Sequence, residues 1–195
     1  MSQKLLRDAR FHRTLRRIDD DLAAKTRARG CHCGGRLHSA RYRRKPRGGR
    51  AQDEVKGEVW RASFCCARHG CRQRSTPPSV RFLGRRVYLG VVVVLASALH
   101  GGVNGRRLAR LQSFLGVSRR TVERWRRWWV EAFPATPLWR AARARFSPRI
   151  DEGKLPASLL GRFDGGEADR LVATLRLVSS LGASSRLRAR IVMAR

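Results

Sequence analysis

Apolar positions near the start of the chain fall on one helical stripe. Phe11, Leu15, Ile18 and Leu22 are spaced 4, 3 and 4 among charged neighbours. That period predicts an amphipathic helix over residues 4–28. Its stripe can pack on the body of the protein, or pair with a second copy as a short dimerising helix. Two heptads are too few for a coiled coil.

Between residues 31 and 80 the helical period disappears. Residues 37–42 and 55–65 have strand character, the second around Val59, Trp60 and Phe64. A basic loop punctuated by Pro and Gly (RRKPRGGR, 43–50) lies between them. Thr76-Pro77-Pro78-Ser79 then forces an extended exit, because proline cannot donate to a ladder and restricts its predecessor.

The longest apolar run is 87–99. Its valines at 91–94 suit a strand, but thirteen residues is long for one, and the length predicts a buried helix ended by Gly101-Gly102. The run is too short for a bilayer, which needs roughly 20 residues, so no transmembrane segment is expected. Leu108, Leu111 and Leu115 next predict a helix over 105–115, with Gly116 at the C-cap position. Ser118 is a good N-cap for a following helix over 118–133, since its hydroxyl can accept from an orphan amide in the next turn. On that helix Val122, Trp125, Trp129 and Phe133 recur at 3, 4 and 4, so this side should pack inward. Arg120, Arg124, Arg127 and Glu131 recur at 4, 3 and 4 on the opposite side. Two helices joined by a tight turn make a helix-turn-helix, in which the second enters a DNA major groove. With 86–99 they form a three-helix unit. A short basic helix at 138–146 and an apolar period at Leu171, Leu175, Val178 and Leu181, stopped by Gly182, complete the pattern before a basic tail at 186–195.

Charge changes the picture from a helical protein to a binding protein. The 195 residues include 44 Lys/Arg against 14 Asp/Glu, a formal charge of +30. Self-repulsion opposes folding at such a charge, and a polyanionic partner explains it most simply. Residues 151–195 carry eight Lys/Arg against five Asp/Glu, so +27 of the total falls on residues 1–150. The binding surface is therefore expected in the first three quarters. On the helix over 118–133, Ser118, Arg119 and Thr121 at its N-terminus, and Arg120, Arg124 and Arg127 on its outer face, are the candidate DNA contacts. Arg can bond guanine edges bidentately or clasp phosphates. The tryptophans at 125, 128 and 129 are assigned to packing.

The cysteines supply the candidate chemistry. Five are present, clustered as Cys31, Cys33, Cys65, Cys66 and Cys71. The charged N-terminus predicts no signal peptide, so a reducing cytoplasm is expected and metal ligation is preferred to disulfides. Two cysteine-bearing turns, each beside a short strand, describe a zinc ribbon, in which four thiolates on Zn²⁺ can fold a unit with little apolar core. Cys31, Cys33, Cys66 and Cys71 are the preferred ligands. Cys65 and Cys66 point to opposite faces of a strand, so only one of them can ligate. His38 and His69 are alternates.

These readings give a mainly α protein with a small β zinc ribbon followed by a three-helix helix-turn-helix domain. Residues 1–29 are an N-terminal helix, 30–80 the ribbon, 81–150 the DNA-binding domain and 151–195 a C-terminal helical segment with a basic tail.

Two motifs occur in order: FCC…CRQRSTPP at 64–78 and LGVSRRTVERW at 115–125. Together they resemble the DNA-binding N-terminal half of bacterial insertion-sequence transposases and their accessory proteins. In that family a zinc ribbon ending in a "C..C.R..TP" stretch precedes a helix-turn-helix of the "LGVS..TV.RW" type. The resemblance covers residues 31–133. It departs in cysteine spacing: one residue separates Cys31 from Cys33 and four separate Cys66 from Cys71, where the family usually has two. It implies Cys31, Cys33, Cys66 and Cys71 as zinc ligands, 118–127 as the reading helix, double-stranded DNA as partner, and a transposase as a further partner. Transposases of this kind continue into a catalytic domain with three separated acidic residues. Here Asp151, Glu152, Asp164, Glu167 and Asp169 lie within nineteen residues. A non-catalytic accessory factor or element regulator is therefore expected. An RNA-binding or ribosome-associated zinc-ribbon protein would explain the charge but not the reading helix. A transposase truncated before its catalytic domain is the third reading.

Overall fold

The computed structural model describes residues 3–43, 60–83, 93–95, 97, 98, 109, 113 and 117–182. The chain opens with two helices, α1 (Gln3–Arg7) and α2 (Ala9–Arg29), where the sequence predicts one over 4–28. The break is at Asp8. Its backbone is extended (φ −78°, ψ 107°), and its carboxylate accepts from the Arg10 amide at 2.8 Å, so it caps α2 rather than continuing α1. Gly30, at φ 75°, ends α2.

Five short strands follow: β1 (Leu37–Ser39), β2 (Tyr42–Arg43), β3 (Trp60–Arg61), β4 (Phe64–Cys66) and β5 (Arg74–Ser75). They form an antiparallel three-stranded sheet in the order β1-β4-β5 and a separate β2-β3 pair. The register sets Leu37 opposite Cys66 and Ser39 opposite Phe64, with Phe64 also opposite Ser75. Each predicted strand is divided. Residues 37–42 break at Ala40, whose amide turns to the Ser63 carbonyl at 2.8 Å. Of 55–65, the first five lie outside the described residues, and the rest contributes β3 to one sheet and β4 to the other.

The described residues of the apolar run, 93–95, 97 and 98, are helical and buried, as its length predicts. Ala109 and Ser113 are helical and exposed. The remainder of the predicted 105–115 helix, with Leu108, Leu111, Leu115 and Gly116, lies outside the described residues. Helix α3 (Arg119–Arg127) begins at Ser118, whose hydroxyl accepts from the Thr121 amide. The sequence predicts a regular helix to 133. Instead the last turn widens into a π-turn (Trp128–Ala132), in which the Phe133 amide reaches back five residues to the Trp128 carbonyl at 2.8 Å. The extra residue per turn lets two rings face inward together. Trp129 and Phe133 are both fully buried, in edge contact at 4.8 Å, and Phe133 meets Trp139 at 5.1 Å. Helix α4 (Pro137–Ala142) has Thr136 as N-cap and proline in its first turn, and a short 3-10 turn (Arg143–Arg145) follows it. Helices α5 (Ala157–Leu160) and α6 (Glu167–Val178) follow, and a 3-10 turn (Ser179–Gly182) extends α6. The tail at 186–195 lies outside the described residues.

Two hydrophobic clusters hold these elements. The larger takes Phe11, Leu15 and Ile18 from α2, Val93–Leu95, Val122 and Trp125 from α3, and Leu171, Leu175 and Val178 from α6. At about 1.5–3 kcal/mol per fully buried large apolar side chain, it is the main source of stability. The smaller contains only Leu37, Phe64 and Cys66, with Ala23 of α2 and three more cysteines packed against it. So small a core needs a staple. A buried carboxylate joins the two regions. Asp19 of α2 accepts from Ser79 Oγ at 2.7 Å, the Val80 amide at 2.7 Å and Arg81 Nε at 2.9 Å. These partners lie where the chain leaves the β region. Among the described residues no helix is long and apolar enough to cross a membrane.

Candidate metal centre and basic helix

The first cysteine turn, Cys31-His32-Cys33-Gly34-Gly35, closes on itself through two backbone bonds. The Gly34 amide donates to the Cys31 carbonyl at 2.8 Å, and the Cys31 amide to the Gly35 carbonyl at 2.9 Å. The second turn, from Cys66 to Cys71, is tied to β5 by the Cys66 amide donating to Gln73 and to the first turn by the Ala67 amide donating to Arg36, each at 2.9 Å. The β1-β4 ladder sets the two turns face to face.

The result is a cluster of four thiols, Cys31, Cys33, Cys66 and Cys71, with all four Sγ atoms within 4.8 Å of one another. Cys31 Sγ lies 3.8 Å from Cys71 Sγ, and Cys33 Sγ 3.5 Å from Cys66 Sγ. None of the five cysteines is in a disulfide. A tetrahedral tetrathiolate centre with metal–sulfur bonds of about 2.3 Å has a sulfur–sulfur edge of about 3.8 Å. The four cysteines therefore fit a metal ion. They are the four singled out by sequence, and the unequal spacing of the two pairs does not prevent their convergence. Cys65 lies on the other face of β4, with its sulfur near the Arg72 carbonyl at 3.5 Å. His38 stands opposite Cys65 in the ladder, and both His38 and His69 are exposed and outside the cluster.

Backbone amides aim at the sulfurs two residues behind them. Gly35 donates to Cys33, Arg68 to Cys66 at 3.4 Å, and Gln73 to Cys71. Such bonds stabilise thiolates and orient them. The Gly35 bond, helped by the neighbouring Cys71 thiol, holds Cys33 down to about 6 despite partial burial. At Cys66 the Arg68 amide acts in the same direction, but burial and the surrounding thiols outweigh it and push the group up to about 12. At Cys71 the Gln73 bond is likewise outweighed, by Cys33 and then by burial, and the thiol is raised. Cys33 thus loses its proton readily, while Cys66 and Cys71 hold theirs until something replaces them. A bound cation is the natural replacement. Sequence reasoning missed Gly35. A Cβ there would lie 2.7 Å from Cys66 Sγ and 3.4 Å from Cys33 Sγ, so only hydrogen fits between the two turns. A glycine two residues after a ligand cysteine is the available signal.

Away from the cluster, α3 is divided as its pattern predicts. Val122 and Trp125 are buried, as are Trp129 and Phe133 beyond them. Ser118, Arg119, Arg120, Arg124 and Arg127 are exposed, and Thr121 is half-buried. Arg119 pairs with Glu123 at 2.8 Å, an exposed bond across one helical turn. The structure therefore gathers the metal-ligand candidates into one centre and sets the basic candidates along one exposed helix face. No family model, curated protein or solved structure matches the chain.

Proposed function

We propose that this protein is a zinc-dependent, sequence-specific double-stranded DNA-binding protein, and that α3 is its reading helix. One observation carries the reading: a helix with one face wholly sunk in the core presents Arg119, Arg120, Arg124 and Arg127 to solvent on the other. A solvated surface helix usually mixes its signs more evenly. Ser118 and the first-turn amides can hold a phosphate, while Arg120, Arg124 and Arg127 reach toward base edges. An all-sulfur tetrahedral set favours zinc, which serves as a redox-inert structural staple. The helix-turn-helix and zinc-ribbon assignments belong to this proposal, as does association with a mobile element as transposase accessory or regulator. That association rests on the resemblance at 64–78 and 115–125. A binding role is preferred to an enzymatic one because three of the late carboxylates already have local tasks. Asp151 caps Gly153, Glu152 accepts from Trp139 Nε1 at 2.7 Å, and Asp169 accepts from the Gly166 amide.

Selection of bound duplexes from a random pool tests the reading. A recovered consensus supports it, and recovery of unselected sequence at physiological salt overturns the sequence-specific form. On the selected site, affinity should fall by about 0.9 log unit per log unit of salt for each phosphate contacted. Arg124→Ala should cost about 1–3 kcal/mol and relax preference at one base if it reads an edge. A uniform loss across sequences with a shallower salt slope would make Arg124 a phosphate contact.

A further inference from the structure

A second basic site adjoins the small core of the cysteine unit, whose Ala23 and Phe64 line it. A cleft of about 430 Å³ is lined by α2, by β3, by Arg41 ahead of β2, and by Pro77 and Pro78. The volume falls in the range of roughly 300–1,000 Å³ typical of small-ligand sites. The α2 wall carries Arg16, Asp20, Ala23 and Arg27 at helical spacing, and the alanine leaves the room. The facing wall carries Arg41, Trp60 and Arg61. In all, five arginines line the cleft against two aspartates, and one of these, Asp19, is already committed to Ser79, Val80 and Arg81.

Two of the arginines are tied to backbone: Arg61 donates to the Pro77 carbonyl at 3.4 Å and Arg81 to the Trp60 carbonyl at 3.0 Å, so their guanidinium groups are held in place. Arg27 and Arg41 are exposed. Trp60 also lines the cleft, is 45% exposed, and is the only exposed large hydrophobic residue among the described residues. An exposed indole offers a flat π face beside cations. Asp20 on the same wall makes the site a poor trap for a compact polyanion. What the mixture fits is a ligand with a flat neutral face and one or two flanking negative charges. That is the chemistry of a nucleotide within a strand: the base stacks on the indole, and its phosphates meet arginines.

We infer that the cleft lined by α2, Arg41 and β3 binds an unpaired nucleotide of a nucleic-acid strand, with Trp60 as the stacking platform and Arg27 and Arg41 as the phosphate contacts. The site is separate from α3 and does not depend on the duplex reading. A nucleotide inside a duplex cannot reach it without leaving its stack, so the strand it takes is single or locally opened.

The test uses the full-length protein with bound metal and labelled 12-mers of single-stranded DNA and RNA of the same sequence, followed by anisotropy across a salt series. Trp60→Ala should weaken strand binding by about 5- to 150-fold, the range spanned by losing one stacking platform, with the salt slope unchanged. Trp60→Phe, which keeps a ring, should retain most of the affinity. Arg41→Ala should instead lower the salt slope by about 0.7. The tighter of the two strands identifies the source of the nucleotide. Unaltered metal content and circular dichroism show that the variants fold. Unchanged strand affinity in Trp60→Ala, equal loss in Trp60→Phe, or equal displacement by a Glu-rich peptide of matched charge would each overturn the proposal. Arg124→Ala on a duplex separates the two readings, since it should weaken duplex binding and leave the Trp60-dependent strand binding intact.

Discussion

A single methyl group at residue 35 is enough to disturb the sulfur cluster. Gly35→Ala would push a carbon to 2.7 Å from Cys66 Sγ, and Arg68 Cβ at 3.1 Å blocks its retreat. The variant should lose the metal ion proposed for the cluster, read as a native mass that drops to the value of the bare chain, as Cys33→Ser and Cys71→Ser should. A Gly35→Ala protein that keeps one metal ion per chain would refute the close packing. Acid should act on the same atoms from the other side. The metal-bound form carries no thiol protons, whereas the metal-free form retains those of Cys66, at about 12, and of Cys71, also raised. Binding therefore releases protons, and affinity falls as pH falls. Below about 6, Cys33 reprotonates as well and the decline steepens. Transfer of the metal to a competing chelator, followed from about pH 8 to about pH 5, should rise throughout. At this scale the sequence was partly readable. Cys65 and Cys66 are adjacent, so alternation along a strand decides that only one ligates. Nothing in Gly34-Gly35 says which glycine faces the sulfurs, because that depends on Cys66 arriving from 31 residues away.

Elements were legible where one period ran uninterrupted. The stripe of α2 and the two faces of α3 follow from spacing alone, since buried and exposed sides repeat every 3.6 residues. The departures occur where a side chain competes with the backbone or a ring needs space, as at Asp8 and in the π-turn at 128–132. Asp19 is the harder case. Beside Ile18 it looks like an ordinary charge at the margin of a stripe, and its three partners lie sixty residues on. Its side chain and that of Arg81 are each only 10% exposed. Asp19→Ala would leave a buried guanidinium, a hydroxyl and an amide without their acceptor. The expected cost is about 3–5 kcal/mol, measured as a lowered urea midpoint with unchanged slope. Asp19→Asn, which keeps an acceptor, should cost less. A loss below about 1 kcal/mol in Asp19→Ala would mean that solvent replaces the carboxylate.

For the whole molecule, composition located the charge but not its arrangement. A total of +30 is one ground for the polyanionic partner proposed above, while only the fold divides the cations between an exposed helix face and a cleft. The larger core draws on residues from 1–29, 81–150 and 151–195, which the sequence presents as separate patterns. Long-range packing of this kind leaves little trace in local spacing. Leu171, Leu175 and Val178 announce a helix, and nothing in them announces that Phe11 and Trp125 share their core.

Helix α2 touches both clusters, and this makes it a lever between them. Its 21 residues extend about 31 Å, with Phe11, Leu15 and Ile18 anchored in the helical core and Ala23 resting on the cysteine cluster. Removing the metal should therefore be felt along a helix that supplies none of the sulfurs. In hydrogen–deuterium exchange, chelation should accelerate exchange not only in 31–35 and 66–73 but also in the last two turns of α2, while its first turns stay protected. Uniform protection along α2 after chelation would show that the lever is held by its core end alone. If the far end does loosen, the cleft wall built on Arg16, Ala23 and Arg27 slackens with it, and loss of the metal would cost that surface before the buried face of α3 yields.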